Sequence, residues 1–112
     1  MVLVAAKTAL SLTTGTTSAD QVTGTYQFVP KGIVRLYALP SATGMQCTLL
    51  NNGLALINNQ ALPMFGTSGT MKKTDNLVVE QAVNNGRLEL YFFNPTGGTL
   101  TVDFILEHIA TK

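Results

Sequence analysis

The chain has few residues that could do chemistry. Its 112 residues include a single His, His108, and a single Cys, Cys47, which lie far apart in the sequence. A nucleophilic thiol needs a nearby base, and a structural zinc site needs four ligands of this kind. Cys47 is in phase with Met45 and Leu49, so we expect it to be a small buried hydrophobe. The sequence therefore predicts no catalytic thiol, no metal site and no cofactor.

The low charge limits the classes of partner. Charged residues make up 12% of the chain, about half the share of roughly 25% that is usual for a soluble domain. The formal net charge of +1 gives no long-range attraction to nucleic acid or to anionic lipid. The adjacent basic pair Lys72-Lys73 follows Gly66-Thr67-Ser68-Gly69, and the spacing is not that of a phosphate-binding loop. We expect no nucleic-acid partner and no membrane partner.

Alternation of apolar and polar residues indicates strands along the whole chain, since a period of two is typical of half-buried strands. The predicted strands in the first part of the chain are 2–13, 22–29, 33–39, 45–50 and 54–57. A weaker apolar stretch follows at 61–65. Asn52-Gly53 suits a two-residue type I′ hairpin because both positions tolerate positive φ. That hairpin would pair Leu49 with Leu56 and Leu50 with Ala55. The length predicts one domain, residues 1–112.

The last third of the chain has the clearest pattern. Strands are predicted at 77–83, 87–93 and 99–109, joined by residues 84–86 and 94–98. If both connections are hairpins, the two registers place the same residues of the middle strand on one face: Leu88, Leu90 and Phe92. Because the registers agree, we predict an antiparallel meander with that face inward. The number and spacing of strands predict an all-β sandwich or barrel.

The opposite face of this meander combines charged residues with apolar ones, whereas a solvated sheet face should be mostly polar. Its apolar members include Val78, Tyr91, Phe93 and Ile105, and Val78 would lie directly across from Phe93. A contiguous apolar patch usually marks an interface. We predict these four residues, with Leu3 of the N-terminal strand, as interface residues. The alternatives are that this face is the second inner surface of a closed barrel or lies under the N-terminal strand.

The same register places two carboxylates, Glu89 and Asp103, opposite each other, which is unfavourable for like charges. Arg87, a lysine from another subunit or a bound cation could relieve the repulsion. A catalytic carboxylate pair is the alternative, although no base or cleft accompanies it. We expect His108 to be a half-buried, hydrogen-bonded residue at a sheet margin.

Residues 22–29 running into Pro30-Lys31-Gly32, together with the terminal meander and its two connections, carry a resemblance to a known family. With its charge-poor composition rich in Thr, Asn and Gly, the chain resembles the small jelly-roll cement or decoration proteins of tailed bacteriophage capsids. The resemblance implies a virion surface subunit, made in the host cytoplasm, that forms a homotrimer and binds the major capsid protein. It implies no catalytic residues. We therefore predict a single jelly-roll-like β-sandwich of about eight antiparallel strands.

Two classes of function remain. The first is a non-enzymatic capsid decoration subunit that self-associates and stabilises the shell, since few charges mean little desolvation cost at an interface. The second is a carbohydrate-binding module of a head spike or tail. Tyr26, Phe28 and Tyr37 could stack on a sugar ring, but Tyr26 and Phe28 are in phase with core positions. If the meander face is an interface, Phe93→Asp should break assembly and leave the monomer folded.

Overall fold

The computed structural model describes residues 2–23, 27–62 and 77–110. In these ranges the chain forms eight strands: β1 Val2–Leu12, β2 Phe28–Val29, β3 Gly32–Pro40, β4 Gln46–Asn51, β5 Leu54–Ala61, β6 Leu77–Val83, β7 Gly86–Phe93 and β8 Leu100–Ala110. They form two antiparallel sheets of four strands, sheet I in the order β1-β8-β3-β6 and sheet II in the order β2-β7-β4-β5. The predicted all-β sandwich of about eight strands is confirmed.

The strand order is that of a jelly roll. β4 pairs with β5, β3 with β6, β2 with β7 and β1 with β8. The chain is therefore one long antiparallel ribbon that doubles back at the β4–β5 turn. The ribbon is rolled up so that successive pairs lie alternately in sheet II and sheet I. Pairing of β3 with β8 and of β4 with β7 then joins the pairs into two complete sheets.

The predicted terminal meander is wrong. β6 pairs with β3 in sheet I, β7 pairs with β2 and β4 in sheet II, and β8 returns to sheet I. Residues 84–86 and 94–98 therefore connect the two sheets and do not form hairpins. Alternation specifies which side chains point inward, and it does so whichever strand is the neighbour. For that reason the predicted inward face of Leu88, Leu90 and Phe92 is confirmed, and all three are fully buried.

The core lies between the inner faces of the two sheets. Phe92 of sheet II and Phe104 of sheet I meet there, with ring centroids 5.0 Å apart and ring planes tilted by 43°. Such a tilted contact is a favoured aromatic geometry that adds to the burial of both rings. The large side chains that are fully or almost fully buried come from both sheets and from the segments beside them: Phe92, Phe104, Leu36, Met45, Leu49, Leu88, Leu90, Leu106, Val22, Val34 and Val102.

The β4–β5 hairpin follows its sequence signal. Asn52 has φ 54° and Gly53 has φ 80°, the two positive values that a type I′ turn requires. Leu50 pairs with Ala55 as predicted, but Leu49 pairs with Ile57 and not with Leu56 because the register shifts between these two pairs. An irregularity of this kind is invisible to a strict period-two pattern.

The strand predicted at 22–29 is much shorter, since only Phe28 and Val29 pair with β7. Val22 and Val29 are both buried, yet they are an odd number of residues apart, so no single regular strand could point both inward. Phe28 is 62% exposed, and its predicted place in the core is wrong. Tyr26 lies outside the described residues.

The segment before β2 completes the edge of sheet II beside β7. The backbone N–H groups of Ser18 and Gln21 donate to the carbonyls of Phe92 and Leu90, at 2.8 and 2.9 Å. In return the N–H groups of Phe92 and Leu90 donate to Ser18 Oγ and Asp20 Oδ1, both at 3.0 Å. Side-chain oxygens thus replace the carbonyls of a regular strand and satisfy the β7 edge.

Asn94 anchors the connection between β7 and β8. It is fully buried, and its Nδ2 donates to the carbonyls of Leu12 and Gly98 at 2.9 and 2.7 Å. Its Oδ1 accepts from the backbone N–H and the hydroxyl of Thr96 at 3.0 and 2.6 Å. An amide side chain offers two donor hydrogens and two acceptor sites, so this one is fully satisfied and ties the end of β1 to the β7–β8 connection.

Candidate functional site

The predicted interface residues do not form the contiguous face that the meander implied. Val78 and Ile105 lie on sheet I, while Tyr91 and Phe93 lie on β7 of sheet II. Phe93 is opposite Gln46, so its predicted pairing with Val78 is wrong. Val78 packs against the core, and the four side chains are half-buried. Their role as contact residues stays a prediction.

Leu3, the fifth predicted interface residue, belongs to a different group. Among the residues in the described ranges, the exposed large hydrophobic side chains are Leu3 (54%), Phe28 (62%), Leu54 (74%) and Leu77 (39%). Leu3 is on β1 and Leu77 on β6, the two edges of sheet I. Phe28 is on β2 and Leu54 on β5, the two edges of sheet II. Each edge strand of the sandwich therefore carries one of these four exposed side chains.

A charged network lies beside Phe28 at the β2 edge of sheet II. Phe28 is directly opposite Arg87, whose Nη2 is 3.5 Å from Asp20 Oδ2 and 3.8 Å from Glu89 Oε1. The Tyr91 hydroxyl donates to the same Glu89 oxygen at 2.9 Å. This hydrogen bond is the main cause of the raised pKa of Tyr91, with further contributions from desolvation and from the negative charges of Glu89 and Asp20.

The predicted pairing of Glu89 with Asp103 is wrong. Glu89 is opposite Leu50 in sheet II, whereas Asp103 is opposite Leu39 in sheet I. Asp103 accepts a hydrogen bond from the backbone N–H of Ala9 at 2.7 Å. The two carboxylates lie in different sheets and do not face each other, so the pair cannot serve as an acid and a base on one substrate.

At the tip of the ribbon, two copies of the tripeptide Asn-Asn-Gly meet. The Asn51 side chain donates to the carbonyl of Asn84 at 3.2 Å and accepts from its N–H at 2.9 Å. The Asn52 side chain donates to the carbonyl of Asn85 at 2.8 Å and accepts from the N–H of Arg87 at 3.0 Å. The side chains of Asn51 and Asn52 therefore form hydrogen bonds with the backbone of residues 84–87. These bonds link the β4–β5 hairpin to the β6–β7 connection.

His108 and Cys47 are both buried and lie in different sheets. The predicted hydrogen bond of His108 is confirmed, since its Nε2 is 2.8 Å from the carbonyl of Pro30. The predicted half-buried place at a sheet margin is wrong, because the side chain is buried and β8 lies between β1 and β3. Cys47 is buried in β4 of the other sheet, as predicted, and burial raises the pKa of its thiol to about 12. A thiol with such a pKa holds its proton at neutral pH and is a poor nucleophile.

The ranges 2–23, 27–62 and 77–110 hold no group of three or more His, Cys, Asp or Glu side chains arranged for a metal ion. The same ranges contain no helix with the length and apolar character of a membrane-spanning helix. The pair Lys72-Lys73 and the Gly66-Thr67-Ser68-Gly69 segment lie outside the described residues.

Sequence reasoning missed the Asp20–Arg87 contact and the burial of Asn94. Asn94-Pro95 is a recognisable turn signal, and it marks the correct place for a chain reversal without indicating that the side chain is buried. Nothing in the residues around Asp20 signals that it lies against β7. Comparisons with protein-family models, with curated proteins and with solved structures found no match.

Proposed function

We propose that this protein is a non-enzymatic structural subunit, a capsid decoration protein that self-associates and stabilises a viral shell by binding its major capsid protein. The observation that carries the proposal is the exposed hydrophobic residue on every edge strand: Leu3, Phe28, Leu54 and Leu77. On an isolated sandwich these side chains stay in water, whereas lateral packing of edge strands between copies would bury them.

Burial of these side chains supplies a driving force of useful size. Removing a large apolar side chain from water contributes roughly 1.5–3 kcal/mol when the burial is complete. Two edges that meet bury two or more such residues, together with the flanking neutral residues of the strands. Because only 12% of the chain is charged, few ions must be desolvated when edges approach.

The fold supports the capsid setting by analogy alone. Jelly rolls are common in viral capsid and lectin domains, and one fold serves many functions. The virion location, the trimer and the shell partner therefore rest on the resemblance of the sequence together with this analogy.

The test of self-association is the mass of the protein in solution, measured by light scattering behind a sizing column. We expect a trimer or a larger closed assembly. Leu3→Asp on β1 and Leu54→Asp on β5 should lower the mass, while the folded state is retained because both side chains are exposed. Thr43→Asp and Thr99→Asp add the same charge at exposed polar positions outside the edge strands and should leave the mass unchanged.

A monomer at every concentration would contradict self-association. An assembly that survives both leucine variants would show that the edges are not the contacts. Co-sedimentation of the wild-type protein with undecorated phage shells tests the second half of the proposal, and the shell should carry the protein in fixed proportion to its capsid subunits.

One observation favours carbohydrate binding as a second candidate. Phe28 presents an exposed ring beside the Asp20–Arg87–Glu89 network, and sugars are bound by such an apolar platform beside charged hydrogen-bonding groups. Tyr37, by contrast, is buried and offers no platform. A glycan array probed with wild-type protein and with Phe28→Ala tests this candidate. Signals lost in Phe28→Ala and kept in Leu54→Ala would favour it, and an empty array would dismiss it.

A further inference from the structure

We propose that Asn85 is a site of spontaneous deamidation and that the fold protects Asn52, which has the same local sequence. Asn-Gly is the dipeptide most prone to this reaction because glycine leaves its backbone nitrogen unhindered. The chain contains two such dipeptides, Asn52-Gly53 and Asn85-Gly86, each preceded by another Asn. Their chemistry is therefore matched, and only the structure distinguishes them.

The reaction needs no partner other than water. The backbone nitrogen of Gly86 attacks Cγ of Asn85, the Cγ–Nδ2 bond breaks, and ammonia leaves with the proton from the glycine nitrogen. Water then opens the resulting five-membered imide at either carbonyl and yields aspartate or isoaspartate. No electrons are exchanged, and one water is consumed for each ammonia released.

The Asn52 side chain is held away from this reaction. Its Nδ2 donates to the Asn85 carbonyl at 2.8 Å, and its Oδ1 accepts from the Arg87 N–H at 3.0 Å. Its own backbone N–H donates to the Arg87 carbonyl at 2.9 Å. For Cγ to turn towards the nitrogen of Gly53, both side-chain hydrogen bonds must break. Two such bonds correspond to a slowing on the order of tenfold to a hundredfold.

The Asn85 side chain has no such restraint. It is exposed, and within the part of the chain that the structure describes it makes no hydrogen bond. In the hydrogen bond between the two residues, Asn85 contributes its backbone carbonyl and Asn52 contributes its side-chain amide. The contact therefore restrains the side chain of Asn52 and not that of Asn85. Isoaspartate at position 85 would route the backbone through the former side chain and displace the carbonyl that Asn52 uses.

The experiment incubates the purified protein at mildly alkaline pH and maps peptides by mass spectrometry over time. We expect Asn85 to convert at least about tenfold faster than Asn52 in the native protein. In concentrated urea the two sites should convert at comparable rates, because their sequences match and the fold is gone. Equal native rates, faster conversion of Asn52, or an unchanged preference in urea would overturn the proposal.

Two variants test the proposal independently of the comparison between native protein and protein in urea. Asn85→Gln keeps the carbonyl that binds Asn52, and it should leave native protein with almost no conversion at either site. In Gly86→Ala a Cβ would overlap with the Oδ1 of Asn52, so the Asn52 side chain is released. Asn52 should then convert faster than in the wild-type protein. Asn85→Gln does not depend on Gly86, so it decides the matter if Gly86→Ala fails to fold.

Discussion

Replacing Asn94 by Ala should destabilise the protein strongly. The change removes four side-chain hydrogen bonds, two donated by Nδ2 and two accepted by Oδ1. The bond to the Leu12 carbonyl is buried, and leaving a buried acceptor unpaired costs about 1–3 kcal/mol. The other three partners are only partly buried and contribute about 0.5–1 kcal/mol each.

The sum is a loss of about 2.5–6 kcal/mol in the free energy of unfolding. For a domain of this size that loss lowers the Tm by about 10–25 °C. Denaturant unfolding followed by circular dichroism gives the free energy, and a thermal scan gives the Tm. Asn58→Ala is the matched control, since Asn58 is exposed on β5 and its substitution should change stability by less than about 0.5 kcal/mol.

Asn94→Asp provides a second test. It keeps the size and shape of the side chain and replaces Nδ2, which donates two hydrogen bonds, by a carboxylate oxygen. That oxygen would face the carbonyls of Leu12 and Gly98, so the charged form is disfavoured in the folded state and the folded pKa of the new carboxyl is raised. Stability of this variant should therefore be highest below the ordinary Asp pKa of ~4 and fall as the pH rises from there towards the raised pKa of the folded state. If Asn94→Ala matches Asn58→Ala, or Asn94→Asp shows no dependence on pH, the anchoring role of Asn94 is refuted.

Further outcomes follow from the core. The Cys47 thiol should resist alkylation in the native protein and react only on unfolding. Because burial raises its pKa to about 12, the thiol loses its proton at a lower pH in the unfolded chain than in the folded one. The free energy of unfolding should therefore fall by about 1.4 kcal/mol per pH unit above pH ~9. Fast native labelling would contradict this. Phe92→Ala should cost about 3–5 kcal/mol through the cavity left beside Phe104, measured by denaturant unfolding, whereas the same truncation at the exposed Phe28 should cost almost nothing. Equal losses at Phe92 and Phe28 would show that the phase of the strands is misassigned.

The sequence was sufficient to predict the strands and most of their inward faces, and insufficient to predict their partners. Leu88, Leu90 and Phe92 alternate with polar residues, and burial follows from that alternation alone. Partner choice depends on how the whole ribbon rolls up, and a connection such as Asn84-Asn85-Gly86 suits a hairpin and a sheet-to-sheet connection equally well. The meander was therefore the natural local interpretation and was wrong for a non-local reason.

In the candidate site, too, some features follow from the local sequence and others depend on contacts between distant residues. Leu3 was predicted as an interface residue of the N-terminal strand; its side chain is exposed, and its contact role stays a prediction. Phe28 was assigned to the core because it alternates in phase with Val22, but the chain changes phase before Val29. The Asp20–Arg87 contact joins residues far apart in sequence, and neither residue has a local pattern that signals the other.

The nested ribbon also has a consequence for how the chain reaches its native state. Among the strands that the structure describes, only β4 and β5 are paired neighbours in sequence, joined by a two-residue turn, while β1 and β8 are separated by nearly the whole chain. The entropy cost of closing a loop grows with its length, so direct pairing of β1 with β8 is slow. Once β4 and β5 have met, β3 and β6 are close neighbours, and each pair formed shortens the path to the next. Substitutions in the β4–β5 turn should therefore slow folding, whereas substitutions between β1 and β8 should mainly speed unfolding.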